Sequence, residues 1–323
     1  MWVVRSENPD PFHNLAVEEF LLGQVDRHGF ILFLSTNRNC VVAGKNQNPW
    51  SECSLSTMSD ESVPLVRRLS GGGAVYHDRG NLNYSFILPR AHYHTARQFE
   101  LVLGALNRLG VRAEMMGRNS LGVNGGKISG NAFYLRGNAA LHHGTILIEA
   151  DLQKMARYLK PSDRHRITSR AIPSRPARVT NLKDLAPEIT HEAVCYALIE
   201  SCAGVFGEAR AGERVVDPIA VDAMRDRYAA WEWRFGLTPP FHLESVTNFS
   251  WGHAGFRAFV EDGVIQEASL TLNGQHAQAQ KEIEAVLVKR RLETDSICDA
   301  LTNSKAQLPP DVVRGLAVWM AGG

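Results

Sequence analysis

The feature that most constrains this chain is Gly71-Gly72-Gly73, set within Arg67-Arg68-Leu69-Ser70 before it and Ala74-Val75-Tyr76-His77-Asp78 after it. Three consecutive glycines let a backbone take positive φ and approach a ligand with no Cβ in the way. Successive N–H groups there can form an anion-binding concavity, and Arg68 offers a positive fork for a phosphate or carboxylate. Taken alone, the run fits a ligand loop and a glycine-rich hairpin about equally. It is not a Walker A loop, because no Gly-Lys-Ser/Thr follows at the required spacing, and it lacks the GxGxxG order.

Two further segments carry chemistry. Gly125-Gly126-Lys127-Ile128-Ser129-Gly130 places a lysine between glycines, on backbone that can come very close to a ligand. His142-His143-Gly144-Thr145 reads as strand, so its two histidines point to opposite faces and at most one serves a site. The same alternation separates His77 from Asp78, which are read as turn-stabilising and hydrogen-bonding residues rather than an acid–base pair.

Charge and cysteine usage exclude other classes. The chain has 35 basic and 34 acidic residues, a net +1, without the basic excess of a nucleic-acid binder. Its five cysteines (Cys40, Cys53, Cys195, Cys202 and Cys298) are an odd number, widely spaced and without a CxxC pair. That argues against a disulfide frame or zinc site and for a reducing compartment. The start, Met1-Trp2-Val3-Val4-Arg5, turns polar at once, and no segment approaches a membrane span. A cytoplasmic protein is expected, with no membrane or nucleic-acid partner.

Asp10-Pro11 reads as an N-cap with proline in the first turn of an amphipathic helix running to Leu22. Strands are expected at 30–34, 40–43, 63–67, 83–88, 111–115, 127–134 and 141–149. Helices are expected from Phe99 to Leu109, from Asp151 to Leu159, and after Thr190 with Val194, Leu198 and Val205 on one side. Thr238-Pro239-Pro240 marks a linker. Beyond it, a hairpin turns at Glu261-Asp262-Gly263, and helices follow over 278–292 and 310–320. Strands and helices mix without regular βαβ alternation, so the class is α+β with mixed sheets and packed helices.

Together these segments resemble the lipoate–protein ligase A family. The resemblance rests on RRLSGGGAVYHDRGNLNYSF (67–86), GRNSLGVNGGKISGNAF (117–133) and HHGTILIEADL (142–152). Flanking agreement comes at PFHNLAVEE (11–19), AGKNQNPWSEC (43–53), RVTNL (178–182) and WEWRFGLTPPF (231–241). The resemblance implies a biotin/lipoate-ligase-type catalytic domain over 1–243 and a small α+β accessory domain over 248–323 that moves during the cycle. It implies adenylation of lipoate by ATP with Mg²⁺, then lipoyl transfer to a protein lysine. Lys127 is the implied catalytic residue, contacting both substrates. Arg68, Gly73, Ala74, Val75, Tyr76, Asn81 and Asn119 are implied for ATP or the adenylate. Ser70, Gly71, Gly72, His77, Ala132, His143, Gly144 and Thr145 are implied for lipoate, and no metal ligand is assigned.

The implied acceptors are lipoyl domains of 2-oxo-acid dehydrogenase E2 subunits and the glycine-cleavage H-type carrier protein, and a monomer is expected. Ser120 stands where the family commonly carries an acid, and Asn124-Gly125-Gly126-Lys127 departs from the Asp-Gly-Lys-Lys of many relatives. Alternatives are an octanoyl- or lipoyl-transferase using a preformed activated donor, and a non-catalytic lipoate sensor. Thiolate transferases are disfavoured because no cysteine lies between Cys53 and Cys195.

Overall fold

The computed structural model describes residues 1–160, 165–175, 177–212 and 215–322. Its strands begin with β1 (Trp2–Ser6), β2 (Ile31–Ser35), β3 (Cys40–Ala43), β4 (Leu65–Arg67) and β5 (Val75–His77). Then come β6 (Asn81–Pro89), β7 (Glu114–Met116), β8 (Ser120–Val123), β9 (Gly126–Arg136) and β10 (Ala139–Leu147). The last are β11 (His165–Ser169), β12 (Arg210–Ala211), β13 (Phe241–Phe249), β14 (Gly252–Glu261) and β15 (Val264–Leu272). They form an eight-stranded mixed sheet ordered β12-β1-β2-β6-β10-β9-β8-β7, a three-stranded sheet β4-β3-β5 and a four-stranded antiparallel sheet β11-β13-β14-β15. The expected α+β class with mixed sheets is what the chain adopts.

Alternation along β6 decides how the large sheet is covered. Leu82, Tyr84, Phe86 and Leu88 face helices Thr95–Arg108 and His191–Phe206, packing on Phe99, Val102, Leu106 and Leu198. The opposite face carries Ile87 with Ile31, Phe33 and Leu141 beneath α1 (Pro11–Leu22) and helix Pro218–Ala229. Asp10 caps α1 by accepting from the Phe12 amide, as its sequence suggests. The helix is not amphipathic, however. It lies between the sheet and helix Pro218–Ala229, so even Glu18 and Glu19 are buried. No helix of the described residues is long and apolar enough to cross a membrane.

Several expected elements shift for local reasons. Strand structure over 111–115 is confined to Glu114–Met116. The 278–292 helix is reduced to Gln280–Leu287, because Val288 is extended and Lys289 takes φ 67°. In helix His191–Phe206 the buried face is Val194, Leu198 and Cys202, while Val205 is exposed. The last turn is held instead by Phe206 stacked on Phe30 at 3.8 Å. The turn at 262–263 has φ of 52° and 71°, the two positive values that an Asp-Gly hairpin turn needs.

The four-stranded sheet packs on helices Gln280–Leu287, Thr294–Thr302 and Pro310–Ala321. Strand β13 runs through 243–248, where the sequence suggested a break, so we propose that the second unit starts at Pro239-Pro240. The first unit reaches it through β11, which pairs with β13, and through one buried side chain. Trp50 enters its core, 5.3 Å from Phe241. Arg67, fully buried, donates to the carbonyls of Gly44, Lys45, Gln47 and Arg234 and to Thr238 Oγ1, at 2.9 to 3.1 Å. Burial pulls its pKa down to about 10, so it stays charged at neutral pH. Replacing Arg67 with Met leaves at least four carbonyls short of a donor. Each unpaired buried group costs about 1–3 kcal/mol. Urea unfolding is expected to show a loss of at least about 3 kcal/mol.

Candidate active site

The face of the large sheet that is apolar beneath α1 turns polar further along the same strands. Residues facing each other on β6, β10 and β9 share a side: Ser85 with His143 with Ala132, and Asn83 with Thr145. His142 and Gly144 take the other side. His142 packs among Phe86, Phe99 and Phe133, with Nε2 2.9 Å from Asn131 Oδ1. Burial pushes its pKa down to about 3, so it is a neutral core residue. The expected split of the two histidines therefore holds. The lipoate contact assigned to Gly144 does not hold for its side-chain position: a Cβ there would sit 2.6 Å from the Tyr84 hydroxyl, on the core face.

Arg68 builds the glycine loop. Its Nε donates to Ser70 Oγ (3.1 Å) and Gly71 O (3.2 Å), Nη1 to Val42 O (3.0 Å), and Nη2 to Gly71 O (2.7 Å) and Gly73 O (2.8 Å). A guanidinium with its donors engaged this way supplies charge to the site rather than a free fork, which corrects the expected direct phosphate clamp. Gly72 has φ 93°, and its carbonyl lies where a Cβ on Gly44 would be, so Gly44 is what lets the loop close on β3. Residues 172–174 lie along the loop's outer side. Ser174 Oγ accepts from the Ala74 amide at 2.9 Å and packs against Gly73. The Tyr76 side chain turns away from the loop and packs on Tyr158, 5.6 Å away, so only its backbone is near the site.

Lys127 reaches this face through a bulge. Leu121 pairs with Ser129 but Gly122 with Lys127, so Ile128 is an extra residue on β9. Simple alternation would put Lys127 on the side of Ser129, which is wholly buried; the added residue turns it to the side of Gly130. Its ammonium sits 3.0 Å from where a Gly130 Cβ would be. Glycine there makes the room. The parallel segment at Arg178–Thr180 fixes its backbone: Lys127 N donates to Arg178 O (2.8 Å) and Thr180 N to Lys127 O (3.0 Å). Among the described residues no carboxylate pairs with Lys127. Burial first, and the Arg68 charge second, hold its pKa below the ordinary lysine value.

Other candidates divide by their partners. His77 Nδ1 lies 3.0 Å from Asn37 Nδ2, whose own oxygen accepts from Asn14. The His77 proton therefore sits on Nε2, which is buried and has no partner. Burial, Arg68 and His143 push its pKa down to about 3. Asp78 accepts from the amides of Gly80 and Asp151, the turn role expected of it. Asn81 is fully buried, donates to Asn83 Oδ1 and leaves its own Oδ1 unpartnered. Asn119 is exposed and bonds the Asn131 carbonyl, so it ties the start of β8 to β9.

Sequence reasoning missed Glu18. Its Oε1 accepts from Ser85 Oγ (2.6 Å) and lies 2.8 Å from His143 Nδ1, while His143 Nε2 lies 2.6 Å from Ser70 Oγ. A glutamate inside a helical pattern gave no signal; only the fold brings it to β10. Gln47 and Ser174, which brace the loop, were equally silent. A cavity of about 710 Å³ lies behind Tyr76, lined by Arg38, Glu61, Asp78, Arg79 and Asp151. It contains none of Ser70, Lys127 or His143, so it is separate from this cluster.

Residues 10–203 match the family described as lipoyl protein ligase A/B catalytic domain, and the chain belongs to that family of lipoate/biotin protein ligase enzymes. LipL1 of P. falciparum, solved in complex with lipoate, is 27% identical over 98% of this chain and 99% of its own, with a TM-score of 0.65. A bipartite lipoate protein ligase of Thermoplasma acidophilum, described together with its E2 lipoyl domain, is 24% identical over 73% of this chain and 96% of its own (TM-score 0.61). Lipoate-protein ligase A bound with ATP gives 24%, 73%, 98% and 0.60. The last two are similar in fold.

Ser120 pairs with Gly130, directly beside the Lys127 ammonium. Ser120→Asp is expected to place a carboxylate there and raise the Lys127 pKa, because an opposite charge favours the charged form. Amine-directed labelling of Lys127 at mildly alkaline pH should slow in the variant; an unchanged rate would show that position 120 does not reach the ammonium.

Proposed function

We propose that this protein is an ATP-dependent lipoate–protein ligase, which forms lipoyl-AMP and transfers the lipoyl group to a lysine of a lipoyl domain. The observation that carries this reading is the half-buried, unpaired Lys127 ammonium, aimed by a bulge at the face the glycine loop borders. A carboxylate is a poor acyl donor until it gains a good leaving group. Adenylation builds negative charge at the α-phosphate, and a fixed cation in a partly desolvated site stabilises that charge without reorganisation. Lys127 then polarises the acyl carbonyl for the second step. Arg68 adds charge from behind the loop, and the backbone from Gly71 to Val75 lies beside the nucleotide and acyl group.

His77 Nε2–H and Ser70 Oγ are the polar groups offered to the acyl end, with Ala132 and Thr145 forming the wall. Asn81 Oδ1, a buried oxygen without a partner, fits Mg²⁺, which takes oxygen donors and keeps phosphate oxygens and water. Bound with the nucleotide, Mg²⁺ would neutralise phosphate charge. Support comes from relatives: LipL1 was solved in complex with lipoate, lipoate-protein ligase A bound with ATP, and the Thermoplasma protein is described with its E2 lipoyl domain. A thiolate transferase has little support, because burial pushes the Cys40, Cys53 and Cys202 thiols up, away from the ionised form.

Lipoate-dependent exchange of pyrophosphate into ATP tests the first step. The native protein is expected to exchange, and Lys127→Ala to lose on the order of 100-fold or more. Exchange should also fall as pH rises through the depressed Lys127 pKa, since only the ammonium stabilises the phosphate. Absence of lipoate-dependent exchange in folded native protein would overturn the two-step reading.

A further inference from the structure

The chain's charges nearly balance, yet residues 165–183 hold five Lys or Arg and no Asp or Glu. The middle of this segment lies against the site. Ile172 N donates to Asn46 O (3.4 Å), Ser174 Oγ accepts from the Ala74 amide (2.9 Å), and Arg178 O accepts from Lys127 N (2.8 Å). Ser174 is thus at the glycine loop and Arg178 at Lys127, the two parts that the ligase reading sets around the acyl-adenylate. Arg170, Arg175 and Arg178 are exposed, as is Lys45 beside Asn46. Among the described residues none of these four side chains pairs with a carboxylate or bonds another side chain. Glu52, whose carboxylate does touch the segment, is buried, and its Oε2 is occupied by the Ser174 amide and Gln47 Nε2, both at 3.0 Å. Exposed arginines elsewhere on the chain do find acids: Arg5 pairs with Glu192 and Arg38 with Asp10.

On the ligase reading above, we propose that this basic rim is the docking surface for the acceptor protein, which meets it with carboxylates that flank its target lysine. A lysine has only a four-carbon stem, so the surface around the target lysine must come down where the loop, the segment and Lys127 meet. The rim offers that surface unpaired cations from Lys45, Arg170, Arg175 and Arg178. A basic partner is repelled there. An acidic one gains steered association, and no existing ion pair has to be broken to receive it. The nucleotide is served from the other side, by the loop backbone and the Lys127 ammonium, since residues 172–174 lie along the loop's outer side. Charge on the rim therefore selects which lysine-bearing proteins approach, and the inner face carries out the transfer.

The test measures single-turnover transfer from preformed lipoyl-AMP to an apo lipoyl domain, over a range of domain and salt concentrations, in the double variant Arg170→Glu, Arg175→Glu. Pyrophosphate exchange is followed alongside. Arg178 is left in place because its carbonyl holds the Lys127 backbone. Arg108→Glu, on the helix that covers the opposite face of the large sheet, controls for net charge. Transfer efficiency in the double variant is expected to fall at least about tenfold at low salt, with the rate at saturating domain within about twofold of native. Native efficiency should drop between about 0.05 and 0.5 M salt as exposed charges are screened, and the variant's should stay level or rise. Exchange, and acyl transfer to hydroxylamine, which has no surface to dock, should stay near native. A lipoyl domain whose carboxylates nearest the target lysine are changed to lysine should lose efficiency on the native protein and regain it on the variant. Equal losses in exchange and transfer, or an equal loss toward hydroxylamine, would put the arginines at the nucleotide and overturn the docking surface. Unchanged transfer, or the same loss in Arg108→Glu, would overturn it as well. So would saturable binding of a DNA duplex that the double variant abolishes while transfer is untouched. Circular dichroism and thermal melting establish that each variant is folded. If native protein transfers from lipoyl-AMP but shows no exchange, the two-step ligase reading fails while the docking surface is still decided by the transfer data.

Discussion

Two adjacent buried guanidiniums organise this molecule. Arg67 ends β4 with its side chain toward the 44–47 turn and the residues just before Pro239-Pro240, and Arg68 turns the opposite way toward the glycine loop, because neighbouring residues leave a strand on opposite sides. Neither forms an ion pair with a carboxylate among the described residues; both are solvated by backbone carbonyls. Burying such a charge is tolerable only when nearly every donor is satisfied. Each arginine therefore fixes its surroundings: the 44–47 turn and the residues before Pro239-Pro240 on one side, the Ser70–Gly73 loop on the other. The glycine loop and the segment that leads into the second unit are held by the same dipeptide.

The site is set by strand parity and one interruption of it. Along β6 and β10, alternation sends Tyr84, Phe86 and His142 to the helices and Asn83, Ser85 and His143 to the polar face. Lys127 would fall on the wrong side without the bulge at Ile128. The surrounding glycines have separate reasons: Gly130 gives the ammonium room, Gly44 admits the Gly72 carbonyl, and Gly144 clears the Tyr84 hydroxyl. Only the first borders the charge directly.

These distinctions mark how far the sequence was readable. Short-range signals gave the Asp10, Asp151 and Thr190 caps, the Asp-Gly hairpin and the alternation of β6, since each depends on residues within a turn or two. The opposite facing of His142 and His143 was legible for the same reason. Whether α1 is covered on one side or two was not legible, because that depends on a helix some 200 residues away in sequence. Glu18 and Ser174 were hidden likewise: their partners lie at sequence separations of 125 and 100. Arg68 was found, but its role was misjudged, since the carbonyls that occupy it belong to the loop it was expected to serve.

The charge balance of the site explains why the loop and the lysine belong together. Arg68 and Lys127 lie close enough that each cation makes the other harder to hold, and the Arg68 charge contributes to the depressed Lys127 pKa. Glu18 offsets Arg68 from behind, yet its oxygen is taken by Ser85 and His143 and does not reach Lys127. Serine at position 120 withholds the nearest carboxylate. The empty-handed ammonium is therefore destabilised in the free protein, and an anion entering beside Gly130 relieves that destabilisation. An incoming anion gains more from this cation than from one already paired, because no ion pair must be broken to reach it.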